Sequence, residues 1–144
     1  MSDAATGRPL LTHFLRGGAV AGLAGALVNS IYFVAYGSAT GFEGAEPTLG
    51  SVVLSSLFPP VLAALGYGVL SRLTKHATLV FVLLTCAITL ATFQSVFSTA
   101  LPNGTLKPAG FDALVMPMHV VVGGLAALII PRIAWTQGRR SAAP

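Results

Sequence analysis

The sequence predicts an all-α integral membrane protein: a four-helix antiparallel bundle with both termini on the cytoplasmic side. Three observations carry that prediction. Four long apolar stretches are separated by short polar loops; 8% of the residues are charged against 54% hydrophobic; and seven of the eight Lys and Arg residues fall on one side of the resulting weave. A soluble domain carries roughly a quarter charged residues, so this chain has too little polar surface to stay in water. Each crossing of a ~30 Å hydrocarbon core needs about 20 apolar residues. Four crossings therefore consume most of the 144 residues and leave little for a separate soluble domain.

A short amino-terminal segment, residues 1–16, precedes the first span, Gly17 to Ala39. The second runs from Leu49 to Ser71, the third from Ala77 to Ala100 and the fourth from Ala113 to Ala134, and a basic tail, residues 135–144, follows. No charge interrupts any of them before Arg132 at the end of the last. Between them lie Thr40 to Thr48 with Glu43, Glu46 and Pro47, then Arg72-Leu73-Thr74-Lys75-His76, then Leu101 to Asp112 with Pro102-Asn103-Gly104, Lys107 and Pro108. These are turn-forming, polar breakers. Barrel strands would be about 10 residues long with in/out alternation; these runs are longer and continuously apolar, so they read as helices.

Orientation follows from the basic residues near the span ends. Arg8 and Arg16 precede the first span, Arg72 and Lys75 separate the second from the third, Arg132, Arg139 and Arg140 follow the fourth, and Lys107 alone lies opposite. Glu43, Glu46 and Asp112 fall on the outer side and Asp3 on the inner. Topology and attraction to anionic lipids account for the sequence pI of 9.9. No nucleic-acid partner is needed, and the expected location is a bacterial plasma membrane. A cleaved signal peptide ending near Tyr36-Gly37-Ser38-Ala39 is the rival for the first span, and it ranks lower because the apolar run exceeds a usual signal core. Cys86 lies inside the third span, has no partner cysteine and reads as a small buried hydrophobe.

Helical phase, at about 100° per residue, assigns the faces. Gly18, Gly22, Gly25, Asn29, Tyr32 and Tyr36 share one arc of the first helix, small at its inner end and polar at its outer end. Gly18 and Gly22 form a GxxxG spacing, read here as close packing inside the bundle rather than a dimer contact. Pro59 and Pro60 in the second span and Pro117 in the fourth free carbonyls one turn earlier, which neighbours or water must satisfy. Both spans continue with small residues and an inner Arg, as in a duplicated hairpin. Thr78, Thr85, Thr89, Thr92 and Thr99 align on the third helix as packing contacts, and Gln94 points to a second interface. On the fourth, Asp112, Met116, His119, Gly123 and Ala126 share a face.

His119 is the one titratable group well inside a span, on the order of 10 Å from the outer boundary at helical rise. Asn29, Tyr32, Ser55, Ser56, Gln94 and Ser95 map to the same outer half or midplane. Gly22-Leu23-Ala24-Gly25 leading to Asn29, Arg72 at the end of the second span and Met118-His119-Val120-Val121 in the last resemble the domain of unknown function 6069 family, small, mainly actinobacterial membrane proteins. The resemblance covers about Arg16 to Arg132. It implies the same four spans and marks Asn29 and His119 as family-like positions, and it brings no activity.

Three functional classes are ranked. First comes a non-catalytic accessory bundle associating with other membrane components, either a partner membrane protein or further copies of itself. There, an Asn29 to His119 contact is an interhelical hydrogen bond of about 1 kcal/mol. Second is a binder of a small molecule, lipid, quinone or proton in an outer-half polar pocket, with His119 central and Asn29, Tyr32, Gln94 and Ser55 around it. A haem is the sharper version, but His13 and His76 lie at the inner surface and cannot pair with His119, so no cofactor is expected. Third is an oligomeric transporter, disfavoured by the lack of an acidic coupling residue. No HExxH, CxxC, paired intramembrane carboxylates or phosphate loop is present, so neither an enzyme nor a metal site is expected. Asn103-Gly104-Thr105 matches a glycosylation sequon but reads as an Asn-Gly turn.

Overall fold

The computed structural model describes residues 11–42, 44–101 and 104–141, without the side chains at 95, 96 and 137–141. Expectations placed on Asp3, Arg8, Glu43, Pro102 and Asn103, and on the side chains of Ser95, Arg139 and Arg140, lie outside the described residues. The chain is all-helical: α1 Leu11–Thr40, α2 Leu49–Leu73, α3 Ala77–Thr92 and α4 Phe111–Ser141, with a 3-10 segment, Phe93–Phe97, continuing α3. Among the described residues β structure is confined to one isolated bridge, Ala100 to Leu106. Three helical stretches, Leu11–Thr40, Leu49–Leu73 and Phe111–Thr136, are long and apolar enough to cross a membrane.

The third span departs from expectation. The α-helix stops at Thr92 after 16 residues, about 24 Å at α-helical rise, although the apolar run continues to Ala100. The run from Thr92 is rich in Ser and Thr, whose hydroxyls compete for backbone partners. The Thr92 hydroxyl donates to the Thr89 carbonyl at 2.6 Å where α gives way to 3-10. Cys86, expected inside, is exposed on α3, because α3 packs through its Phe81, Thr85 and Thr89 side and turns Cys86 outward.

α1 is the hub, packing most extensively against α2 and α4. The glycines on its inner half permit this. A Cβ on Gly18 would lie 2.8 Å from the Pro60 carbonyl oxygen and 2.9 Å from Val61 Cα, and one on Gly22 would lie 2.8 Å from the Leu57 oxygen. The GxxxG therefore serves the α1–α2 contact within the chain. On the other flank Gly17 faces the Ile130 backbone of α4. Pairing Gly18 with Pro60 to Ala64, and Gly17 with Ile130, makes α1 antiparallel to both neighbours. The start of α1 and the later turns of α4 thus lie at the same end of the bundle.

Two apolar cores fill the bundle. The inner one joins Phe14, Ala21, Ala64, Tyr67, Phe81 and Ile130, with Tyr67 set against Phe14 and Phe81 at ring distances of 5.8 and 5.0 Å. Its hydroxyl meets Thr78 Oγ1 at 2.8 Å, tying α2 to α3. The outer core is built on Val52, Leu114 and Met118, with Tyr32, Phe33 and Tyr36 packed against it. Between the two, Asn29 and Ser56 are both 1% exposed and Pro60 is fully buried.

The outer loops are pinned by polar contacts. Thr48 caps α2 by accepting from the Ser51 amide at 3.2 Å, which satisfies one of the orphan donors of the first turn. Lys107, predicted as a lone outer cation, pairs with Asp112 in the first turn of α4 at 2.9 Å. Gly104 has φ +82°, and its amide donates to the Leu101 carbonyl at 2.9 Å, so this segment turns as expected of a Gly here.

Candidate functional site

The polar layer begins with Asn29. Its Nδ2 donates to Ser56 Oγ at 2.9 Å and to the Met118 carbonyl at 3.2 Å, joining α1, α2 and α4 through one side chain. A carbonyl only accepts, so the Met118 contact fixes which end of the amide is nitrogen. The other end, Oδ1, is buried with no hydrogen-bond partner among the described residues. A buried acceptor left unpaired costs about 1–3 kcal/mol, and among the described residues it is the one buried side-chain nitrogen or oxygen without a partner.

The expected Asn29 to His119 bond is not formed. Asn29 turns to Ser56 and Met118, and His119 Nδ1 lies 2.9 Å from the Val115 carbonyl of its own helix. A carbonyl only accepts, so that contact requires a hydrogen on Nδ1. Tyr32 also has a different duty from the one predicted. Pro117 deprives the Ala113 carbonyl of its helical donor, and the Tyr32 hydroxyl donates to that oxygen at 3.0 Å. The freed carbonyl is thus satisfied by a neighbour, and Tyr36 binds the Gly110 carbonyl at 2.9 Å one turn further out.

Asn29 and His119 nevertheless share one cavity, a groove of about 780 Å³ between α2, α3 and α4 that reaches α1 at Asn29. Ser55 lines it as well. Tyr32 and Gln94 do not: Tyr32 is turned to the α4 backbone, and Gln94 is exposed in the 3-10 segment, where the chain has left the α-helical phase that predicted its direction. The groove runs along α2 from Ser51 to Leu70, about 28 Å at helical rise. It is therefore longer than an outer-half pocket. Ser51, Ser55, Ser56, Thr89, Thr92 and His119 lie toward one end, and Leu62, Ala63, Leu70, Phe81 and Leu84 line the other.

Sequence reasoning placed the α3 threonines as packing contacts, which Thr78 is against Tyr67 and Thr89 is against Gly123; Thr85, Thr89 and Thr92 are groove wall as well. Their spacing of four and three residues was the available signal. It could not be told from packing because the partner face is set by how far α3 stands from α2. Pro59 and Pro60, also in the wall, deprive the Ser55 and Ser56 carbonyls of their helical donors at the polar end. No group of His, Cys, Asp or Glu with metal-holding geometry occurs among the described residues.

Fold and site together define a class: a membrane helical bundle with an internal groove, polar at one end and apolar at the other. Comparison with protein-family models, curated proteins and solved structures returns no match in any of the three.

Proposed function

We propose that this protein binds an amphiphile, a single-chain lipid-like molecule, in the groove between α2, α3 and α4, and acts without covalent catalysis. The observation that carries the reading is the buried, unpartnered Asn29 Oδ1 at the polar end of a groove of about 780 Å³. Binding cavities for small molecules span roughly 300–1,000 Å³ and are mostly apolar with a few polar groups that fix orientation. A purely structural bundle has no need of such a groove, since apolar voids forfeit packing contacts. This places ligand binding ahead of the accessory-bundle reading.

The setting belongs to the same proposal. α3 with its 3-10 extension makes the fourth crossing, both termini face the cytoplasm by the distribution of basic residues, and the membrane is a bacterial plasma membrane. Membership in the domain of unknown function 6069 family is proposed on the motifs around Asn29, Arg72 and His119 alone.

Native mass spectrometry of gently solubilised protein tests the reading, with Gly66→Trp as the variant. Gly66 lines the groove and a Cβ there meets nothing within 4 Å, so an indole fills the apolar end without straining a helix contact. The expected result is an amphiphile-sized adduct on the wild type that Gly66→Trp loses. A bare wild-type chain, or an adduct indifferent to the variant, sinks the proposal.

A further inference from the structure

The groove is a slit with a sealed inner end. There the short turn Thr74 to His76 joins α2 to α3, the Tyr67 hydroxyl meets Thr78 Oγ1 at 2.8 Å, and Phe81, 3% exposed, packs on the Tyr67 ring at the end of the lining. Further out the two helices stand apart. Leu62 and Gly66 on α2, with Leu84 and Ile88 on α3, line the groove and are exposed, whereas Ser56, Pro60 and Ala126 deeper in it are buried. The exposed residues are its rim and the buried ones its floor. The slit therefore opens sideways, between α2 and α3, onto the hydrocarbon of the membrane.

We infer that the groove takes its amphiphile sideways from the bilayer and holds it extended, with the head at the Ser51 end and the tail past the membrane midplane at Phe81. This rests on the amphiphile-binding reading proposed above. Direction follows from the lining. Ser51, Ser55, Thr92 and His119 lie toward the outer end, whereas the wall beyond the midpoint of α2 is Leu62, Ala63, Gly66, Leu70, Phe81 and Leu84. Thr85 also faces this inner part, but its hydroxyl donates to the Phe81 carbonyl of its own helix. A reversed occupant would bury its polar head among apolar side chains without a partner. Depth follows from length: one leaflet supplies about 15 Å of hydrocarbon, half of the core, whereas the groove runs about 28 Å along α2. A tail that follows it reaches a depth that the outer-leaflet chains around the protein do not. Gly66 keeps that path open, since a Cβ there meets nothing within 4 Å, and a larger side chain would stand across the tail.

The test uses wild-type protein in nanodiscs and two photoreactive probes, a sixteen-carbon alcohol carrying a diazirine either beside the hydroxyl or at the far end of the chain, with adducts mapped residue by residue. The lipid-facing Leu23, Leu27 and Ile31 of α1, all exposed, report ordinary contact with the bilayer. The tail-end probe is expected to label Gly66 to Leu70 and Phe81 to Leu84 about tenfold more than the head-end probe does, and the head-end probe to dominate at Ser51 to Ser56, because a hydroxyl buried without a partner disfavours the reverse pose by at least that factor. Gly66→Leu is expected to lower the tail-end signal at Phe81 to Leu84 about tenfold while Ser51 to Ser56 remain labelled by the head-end probe. Groove labelling in the opposite order, or equal at both ends, overturns the orientation and leaves amphiphile binding standing. A signal at Phe81 to Leu84 that Gly66→Leu does not change puts the tail outside the groove and overturns the inference. Groove residues labelled no more than the α1 face by either probe overturn the amphiphile reading and this inference with it.

Discussion

The two faces of α2 behave in opposite ways. Toward α1 it offers Leu57, Pro60, Val61 and Ala64, against which Gly18 and Gly22 sit so close that no Cβ fits between the backbones. Toward α3 it offers Ala63, Gly66 and Leu70, and there the neighbours stand off and leave the groove. The same residue type therefore means different things on one bundle: glycine in the α1–α2 contact permits approach, whereas Gly66 borders empty space. In lipid, where helix association depends on backbone proximity and packing rather than on expulsion of water, the first face holds the protein together and the second borders a groove.

The sharpest way to break that contrast is to add one methyl group to each face. Gly18→Ala is expected to cost about 2–3 kcal/mol, the upper part of the range of overpacking, since all but one of its close neighbours are backbone atoms that cannot move aside. Denaturant unfolding in detergent followed by circular dichroism would read it, and a cost under half of that would mean α1 and α2 are not locked at this point. Next comes the polar layer between the faces. Asn29→Ala removes two interhelical hydrogen bonds and one unsatisfied acceptor at once, so a net loss of about 1–2 kcal/mol is expected. Asn29→Leu should cost less, because it restores volume.

A smaller effect isolates the carbonyl released by Pro117. Tyr32→Phe should cost about 1 kcal/mol by orphaning the Ala113 oxygen. In the background of Pro117→Ala, which returns a helical donor to that oxygen, the same change should cost much less; additive losses in this double-mutant cycle would show that Tyr32 acts by packing alone. The smallest effect belongs to the groove face. Gly66→Ala should stabilise by up to about 0.5–1 kcal/mol through helix propensity, and a loss comparable to that of Gly18→Ala would mean that the groove is closed in the membrane.

Much of this was legible in the residues. The arc from Gly18 to Asn29 did become the buried face of α1, and the proline rule located a freed carbonyl before its partner was known. Other readings failed for local reasons. Gln94 was phased on an α-helix that ends at Thr92, and Cys86 was taken as buried because a span was treated as surrounded, although α3 is covered on one side. Tyr32 was placed at the right depth for a pocket, but the nearest needy acceptor belonged to the α4 backbone.

Sequence by itself determined that the chain is helical and which stripe of α1 is small enough to be central. These are properties of composition and of a fixed 3.6-residue period, and they do not depend on which neighbour is met. The tertiary structure alone decided that Asn29 pairs with Ser56 and Met118 rather than His119, that the α3 threonines line a groove, and that Oδ1 is left over. Those outcomes depend on the spacing and rotation between helices, distances of a few ångströms that periodicity leaves free and that hydrogen bonds, with their narrow geometry, register at once.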